Sequence, residues 1–147
     1  PAPASAPSRM LEQPVGFALP SDDGALVSVP SKGGPTIVDA WSPSCVPCRE
    51  KVPALAQRTK DIEAAGGKLV LVAVLADGET TEAARQTLGS WGVSLPFLLD
   101  RGSVLRRELG VETLPATVVV DASGKVRWVA PSSASTDDVV NALRAAH

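Results

Sequence analysis

Between residues 36 and 41 the chain reads Thr-Ile-Val-Asp-Ala-Trp, an apolar run broken by one carboxylate. The run is short, rich in β-branched residues and preceded by Gly33-Gly34-Pro35, so it predicts a strand. Alternation puts Ile37, Asp39 and Trp41 on one face and Val38 and Ala40 on the other. A second run, Lys68 to Ala76, is nearly continuous Leu and Val and fits a strand buried on both faces of a sheet. From about 46 to 65 the pattern turns helical, with Leu55, Ile62 and several alanines, and Gly66-Gly67 ends it. Pro53 lies inside that helix and predicts a kink, because it removes a backbone donor and crowds the preceding turn.

The flanking segments complete the pattern. Asp22-Asp23-Gly24 is a turn signal between Phe17-Ala18-Leu19 and Leu26-Val27-Ser28-Val29, which predicts an opening β-hairpin. Ala84, Leu88 and Trp91 recur at helical spacing and predict a helix over 80–90, with a threonine available as cap. Leu95 to Leu99 reads as a short strand, and Ser103 to Leu109 as a short helix closed by Gly110. Thr117 to Val120 and Val126 to Val129 flank the turn sequence Asp121-Ala122-Ser123-Gly124 and predict a second hairpin. Ser135 followed by Asp138 resembles a capping box opening a last helix through Ala145. Helices alternating with buried strands, then a hairpin and a helix, predict an α/β sandwich around a mixed sheet. Trp91 and Trp128 read as packing residues.

Composition narrows the choices. The 147 residues suit one domain with a sizeable core, and with no tyrosine that core rests on Val, Leu, Ile and Ala. A formal net charge of −2 gives no electrostatic case for nucleic acid or an anionic membrane. No run of about 18 apolar residues is present to span a bilayer. Residues 1–14 are rich in Pro, Ala and Ser and predict a flexible linker ahead of one domain over 15–147. Because the sequence opens on Pro1 rather than Met, a processed or trimmed form is expected. The linker then suits a tether to a removed signal peptide or membrane anchor, with an ordinary disordered terminus as the alternative. No apolar heptad pattern predicts assembly, so a monomer is the default.

The chemistry concentrates at Cys45-Val46-Pro47-Cys48, which holds the only two cysteines. A CxxC pair between a strand and a helix reads as a redox dithiol. A thiol at a helix N-terminus faces unpaired N–H groups and the positive end of the dipole, which favour the thiolate. The second thiol, one turn on, can attack a mixed disulfide made by the first. Other readings are weaker. A structural zinc site needs four ligands, and the sole histidine, His147, follows no ligand spacing. A structural disulfide here would close a very small loop and constrain the unfolded chain little. No metal or cofactor is expected. Two cysteines alone do not fix the compartment.

Trp41-Ser42-Pro43-Ser44-Cys45-Val46-Pro47-Cys48 resembles the WxxxCxxC active site of thioredoxin-fold proteins, and Thr113-Leu114-Pro115-Ala116-Thr117 resembles their cis-proline loop. The opening hairpin and the extra helix over 80–90 are similar to those of the TlpA/ResA/DsbE branch of bacterial extracytoplasmic thiol oxidoreductases. The resemblance covers residues 15–147 and implies a thioredoxin-like three-layer sandwich. It implies that Cys45 is the exposed nucleophile and Cys48 the buried resolving thiol. Pro47 suits the first helical turn, where its missing N–H costs nothing. Pro115 would be cis, and the Leu114 backbone would pair with an extended substrate segment. Trp41 would shield the site and contact substrate, although core filling explains it equally well.

Asp39 stands six residues before Cys45, the position of the buried aspartate of thioredoxin. Desolvation would raise its pKa towards that of a thiol, so Asp39 is a candidate base for Cys48; a polar residue satisfied at the strand edge is the alternative. ResA-like proteins carry a glutamate three residues after the second cysteine, where this chain has Lys51. A cation there favours a thiolate, and Glu50 should point elsewhere on the helix. The proline loop has Thr113 and Ala116 in place of the Gly and Glu of DsbE-type proteins. These departures weigh against haem-pathway specificity.

The expected activity is thiol–disulfide exchange with extracytoplasmic protein substrates, with a partner dithiol reductase resetting the pair. Reduction is the expected direction, since Val46-Pro47 is closer to thioredoxin's Gly-Pro than to a strong oxidant's Pro-His. A peroxidase on the same fold is one alternative, but Ser42 and Val38 stand where peroxiredoxins carry threonine and proline. A metal or thiol carrier is another, but copper carriers of this fold use CxxxC and a distant histidine, which this chain lacks.

Overall fold

The computed structural model describes residues 14–147. Its centre is the strand β3 (Thr36–Trp41), all six of whose residues are buried. It pairs in parallel with β4 (Lys68–Val74), which pairs in parallel with β5 (Phe97–Asp100). On its other side β3 pairs antiparallel with β6 (Ala116–Val120), followed by β7 (Val126–Val129), giving a five-stranded mixed sheet in the order β5-β4-β3-β6-β7.

Strand alternation then decides what each layer covers. Ile37, Trp41, Leu71 and Phe97 face α1 (Cys48–Ala56), α2 (Thr59–Ala64), α3 (Thr81–Ser90) and α5 (Thr136–Ala145) through two apolar clusters. Val38, Ala40, Val72 and Val118 face the opposite layer, made by α4 (Val104–Leu109) and the hairpin β1 (Phe17–Pro20) and β2 (Leu26–Val29). The result is a three-layer α/β sandwich. The hairpin also caps the sheet edge, because Asp22 N–H donates to the Phe97 carbonyl (2.8 Å) and Ser21 bridges Leu98. Pro14, the last residue of the expected linker, bridges Lys125 in the turn after β6. The rest of that linker lies outside the described residues.

Some boundaries move for local reasons. The helix expected over 46–65 is two helices, α1 and α2, broken at Gln57–Arg58. Arg58 N–H closes α1 tightly on the Leu55 carbonyl (2.9 Å), and its guanidinium bonds Asp61 (2.7 Å) and Asp137 (2.8 Å). Leaving the helix there ties α2 to the start of α5. The strand expected from Leu95 begins at Phe97, since Pro96 has no N–H to give a ladder. The N-terminus of α4 is satisfied by the buried carboxylate of Asp100, which accepts from the N–H groups of Val104 and Leu105 (both 2.9 Å). At α5 the capping box is complete: Ser135 accepts from Asp138 N–H (3.1 Å), and the Asp138 carboxylate accepts from Ser135 N–H (3.0 Å).

Candidate active site

The end of β3 delivers the sulfur pair. After Trp41 the chain turns, with Cys45 N–H donating to the Ser42 carbonyl (3.1 Å), and enters α1 through Pro47 at φ −63°. Proline suits this position because the first N–H groups of a helix have no partner within it. Cys45 and Cys48 form a disulfide across this turn, at the α1 N-terminus. The two sulfurs sit in different surroundings. Cys48 is fully buried with Trp41, Val52 and Leu71, while Cys45 is half-buried and Val46 beside it is 76% exposed. An incoming thiol or disulfide therefore meets Cys45 first.

The Leu114–Pro115 bond is cis, the isomer the resemblance implies, and a second cis bond joins Val29 and Pro30. Leu114 and Cys45 pack against the same apolar cluster, so the proline loop and the disulfide share one neighbourhood. Trp41 is fully buried, edge-on to Trp91 (centroids 5.4 Å) and to Phe97 (5.8 Å). The expectation that it contacts substrate is corrected: with no exposed surface it fills the core beneath the disulfide. Its Nε1 has no hydrogen-bond partner among the described residues. Trp91, read from sequence as a packing residue, is part of that support.

Asp39 lies on the same face of β3, between Ile37 and Trp41, and is 2% exposed. Register explains its one contact. Thr117 is its cross-strand partner on β6, and the Thr117 hydroxyl donates to Asp39 Oδ1 (2.9 Å). Among the described residues Oδ2 is buried without a partner. Burial pushes the carboxyl up to about 7, against the opposing pull of the Thr117 hydrogen bond and the charge of Lys51. Asp39 borders a cleft of about 560 Å³ bounded by α1, the proline loop, the end of β7 and the start of α5.

Lys51, one turn into α1, lines that cleft and donates through Nζ to the Ser132 carbonyl (2.5 Å) in the β7–α5 loop. Glu50 also borders the cleft, which corrects the expectation that it points elsewhere; adjacent helical residues are about 100° apart, and the cleft is wide enough to take both. Sequence reasoning missed two participants. Thr117 was legible only as a strand residue, because its role depends on cross-strand register. Ser132 acts through its backbone and carries no side-chain signal.

The fold and this arrangement define a thioredoxin-fold protein with a dithiol–disulfide centre. Residues 2–145 match the Redoxin family, and the chain belongs to it. It is 29% identical over 111 residues to thiol-disulfide oxidoreductase ResA of Bacillus subtilis, across 75% of this chain and 60% of that protein. The chain thus spans less than two thirds of that relative's length. To sporulation thiol-disulfide oxidoreductase A of the same organism it is 23% identical over 126 residues, covering 86% of this chain and 76% of the relative. Among solved structures, a thiol:disulfide interchange protein of Chlorobium tepidum superposes with a TM-score of 0.72 at 26% identity, across 91% of this chain and 97% of that one.

Proposed function

We propose that this chain is a thiol–disulfide oxidoreductase that reduces disulfides of protein substrates outside the cytoplasm. The observation that carries the reading is the asymmetry of one bonded pair: a half-exposed Cys45 and a fully buried Cys48 at a helix N-terminus. In the reduced protein, Cys45 thiolate attacks a substrate disulfide and expels one substrate sulfur as a thiolate, which takes a proton. Cys48 then loses its proton and attacks the Cys45 sulfur. The substrate's second sulfur leaves, and Cys45–Cys48 is oxidised by two electrons. A partner dithiol restores it.

Asp39 is the proton acceptor for Cys48 in this scheme, through an intervening water. A carboxyl near pH 7 is matched to this role, because it is partly ionised where a thiol is still protonated. The exposed Pro47 and Val46, with the Leu114 backbone, receive an extended substrate segment. Location outside the cytoplasm rests on the resemblance to an extracytoplasmic branch. Among the described residues no helix is long and apolar enough to cross a membrane.

Equilibration against glutathione tests the activity and its direction together. A potential near thioredoxin's, about −270 mV, supports a reductant; one near about −120 mV makes it an oxidant. Sulfurs that do not exchange in the native protein end the proposal altogether. Protease treatment of spheroplasts expressing the full-length protein, their outer envelope removed, tests the location, and protection from the protease refutes it.

A further inference from the structure

The cleft beside Asp39 has an uneven charge lining. Asp39 lies at its floor, Glu50 and Lys51 come from α1, and Glu112 comes from the loop before β6; no charged residue of β6, β7 or α5 lines it. Lys51 is therefore the one cation among three carboxylates in the described lining. Its ammonium is not left to wander, since the Ser132 carbonyl holds it across the cleft at 2.5 Å. Asp39 meanwhile is buried, with one oxygen unpartnered among the described residues, so nearby charge acts on it even though Lys51 itself is exposed and the pair is partly screened.

We propose that Lys51, fixed by the Ser132 carbonyl, is a positioning residue that sets the proton affinity of Asp39 and so the pH range in which the buried sulfur can be deprotonated. The proposal rests on the reading of Asp39 as proton acceptor for Cys48. It assigns Lys51 a target different from the sulfur: the cation acts across the cleft on the carboxylate. The attraction of Lys51 for ionised Asp39 opposes the effect of burial in the direction this requires. Because the anchor is a carbonyl in the β7–α5 loop, that loop becomes part of the acid–base apparatus without contributing a titrating group.

The test follows Asp39 directly, by carboxyl-carbon NMR of the oxidised protein, in wild type, Lys51→Met and Lys51→Arg. Oxidised cysteines do not titrate, so the signal reports the carboxyl alone. Lys51→Met should move the Asp39 midpoint to higher pH and slow disulfide exchange on the acidic limb roughly two- to fivefold, the range of a partly screened charge pair. Lys51→Arg should restore both, which a merely structural role in holding the loop would not predict for the titration. An unchanged Asp39 midpoint in Lys51→Met overturns the proposal. A shifted midpoint with an unmoved exchange profile keeps the charge coupling but overturns the acceptor role of Asp39 and the pH-setting role of Lys51 with it. Lys51 is exposed, so the fold should tolerate both variants.

Discussion

Replacing Asp39 with Asn should make this protein more stable in alkaline solution than in acid, relative to wild type, by an amount the structure sets. The carboxyl moves from its ordinary 3.8 to about 7 on folding. Its folded pKa is thus raised, so the native state holds a proton that the unfolded chain releases between those two values. Stability from this group is full below about pH 4, is lost progressively as pH rises towards 7, and stays lost above it. About three pKa units correspond to about 4 kcal/mol, to order of magnitude. The side chain of the Asp39→Asn variant keeps an oxygen for the Thr117 hydroxyl but places an amide where Oδ2 is unpartnered, a fixed cost of about 1–3 kcal/mol that does not vary with pH. The informative quantity is therefore the difference between variant and wild type, measured by urea unfolding of the oxidised proteins at pH 4 and pH 8. It should shift in the variant's favour by about 4 kcal/mol across that interval. A difference that stays constant with pH would mean that Asp39 ionises in the folded protein as it does in the unfolded chain, and the case for it as a proton acceptor would go with it.

The remaining predictions concern the sulfurs and their supports. Cys48→Ser should accumulate a mixed disulfide with a peptide disulfide, visible by mass spectrometry and released by reductant, whereas Cys45→Ser should form none, because Cys48 is fully buried. Thr117→Val removes the one hydrogen bond to Asp39, so the carboxyl midpoint should rise further by NMR, with a loss of about 1–3 kcal/mol that is larger at pH 8 than at pH 5. Asp100→Ala strips two N–H groups of α4 of their acceptor and should cost about 2 kcal/mol in urea unfolding. Gly124→Ala should cost about 1–3 kcal/mol, since the position has φ +91° and a Cβ there would lie 2.6 Å from the Val15 carbonyl oxygen.

What was legible in the sequence and what was not divide along a physical line. The β3 run, the Gly66-Gly67 stop, the threonine cap of α3 (Thr80 in the structure), the Ser135 cap and the CxxC turn are encoded within a few residues, and the fold realises each of them. The sandwich follows from those elements, because two-sided burial of β3 and β4 demands a layer on each face. The break between α1 and α2 was not legible, because Arg58 leaves the helix for Asp137, some eighty positions along the chain. The cap of α4 was equally hidden: Asp100 ends a strand, and only the return of the chain shows its carboxylate meeting the next helix. The role of Trp41 turned on exposure, which a sequence motif does not state.

At the site the same division separates two kinds of chemistry. The sulfur pair is local, carried by four consecutive residues, and its asymmetry comes from the apolar cluster under α1, which covers Cys48 and leaves Cys45 half-open. The proposed acid–base apparatus is assembled from a distance: Asp39 from β3, Thr117 by register from β6, Lys51 from α1 and the Ser132 carbonyl from the loop before α5. In the proposed scheme thiolate attack depends on the first set and proton supply on the second, so the two can change separately. A glutamate in place of Lys51 would leave the disulfide and its access untouched, yet would face Asp39 with a third like charge across the cleft. By like-charge repulsion the Asp39 carboxyl would then hold its proton to higher pH. If Asp39 takes the proton of Cys48 as proposed, a substitution one turn into a single helix would retune the exchange reaction while its reactive sulfurs keep their places.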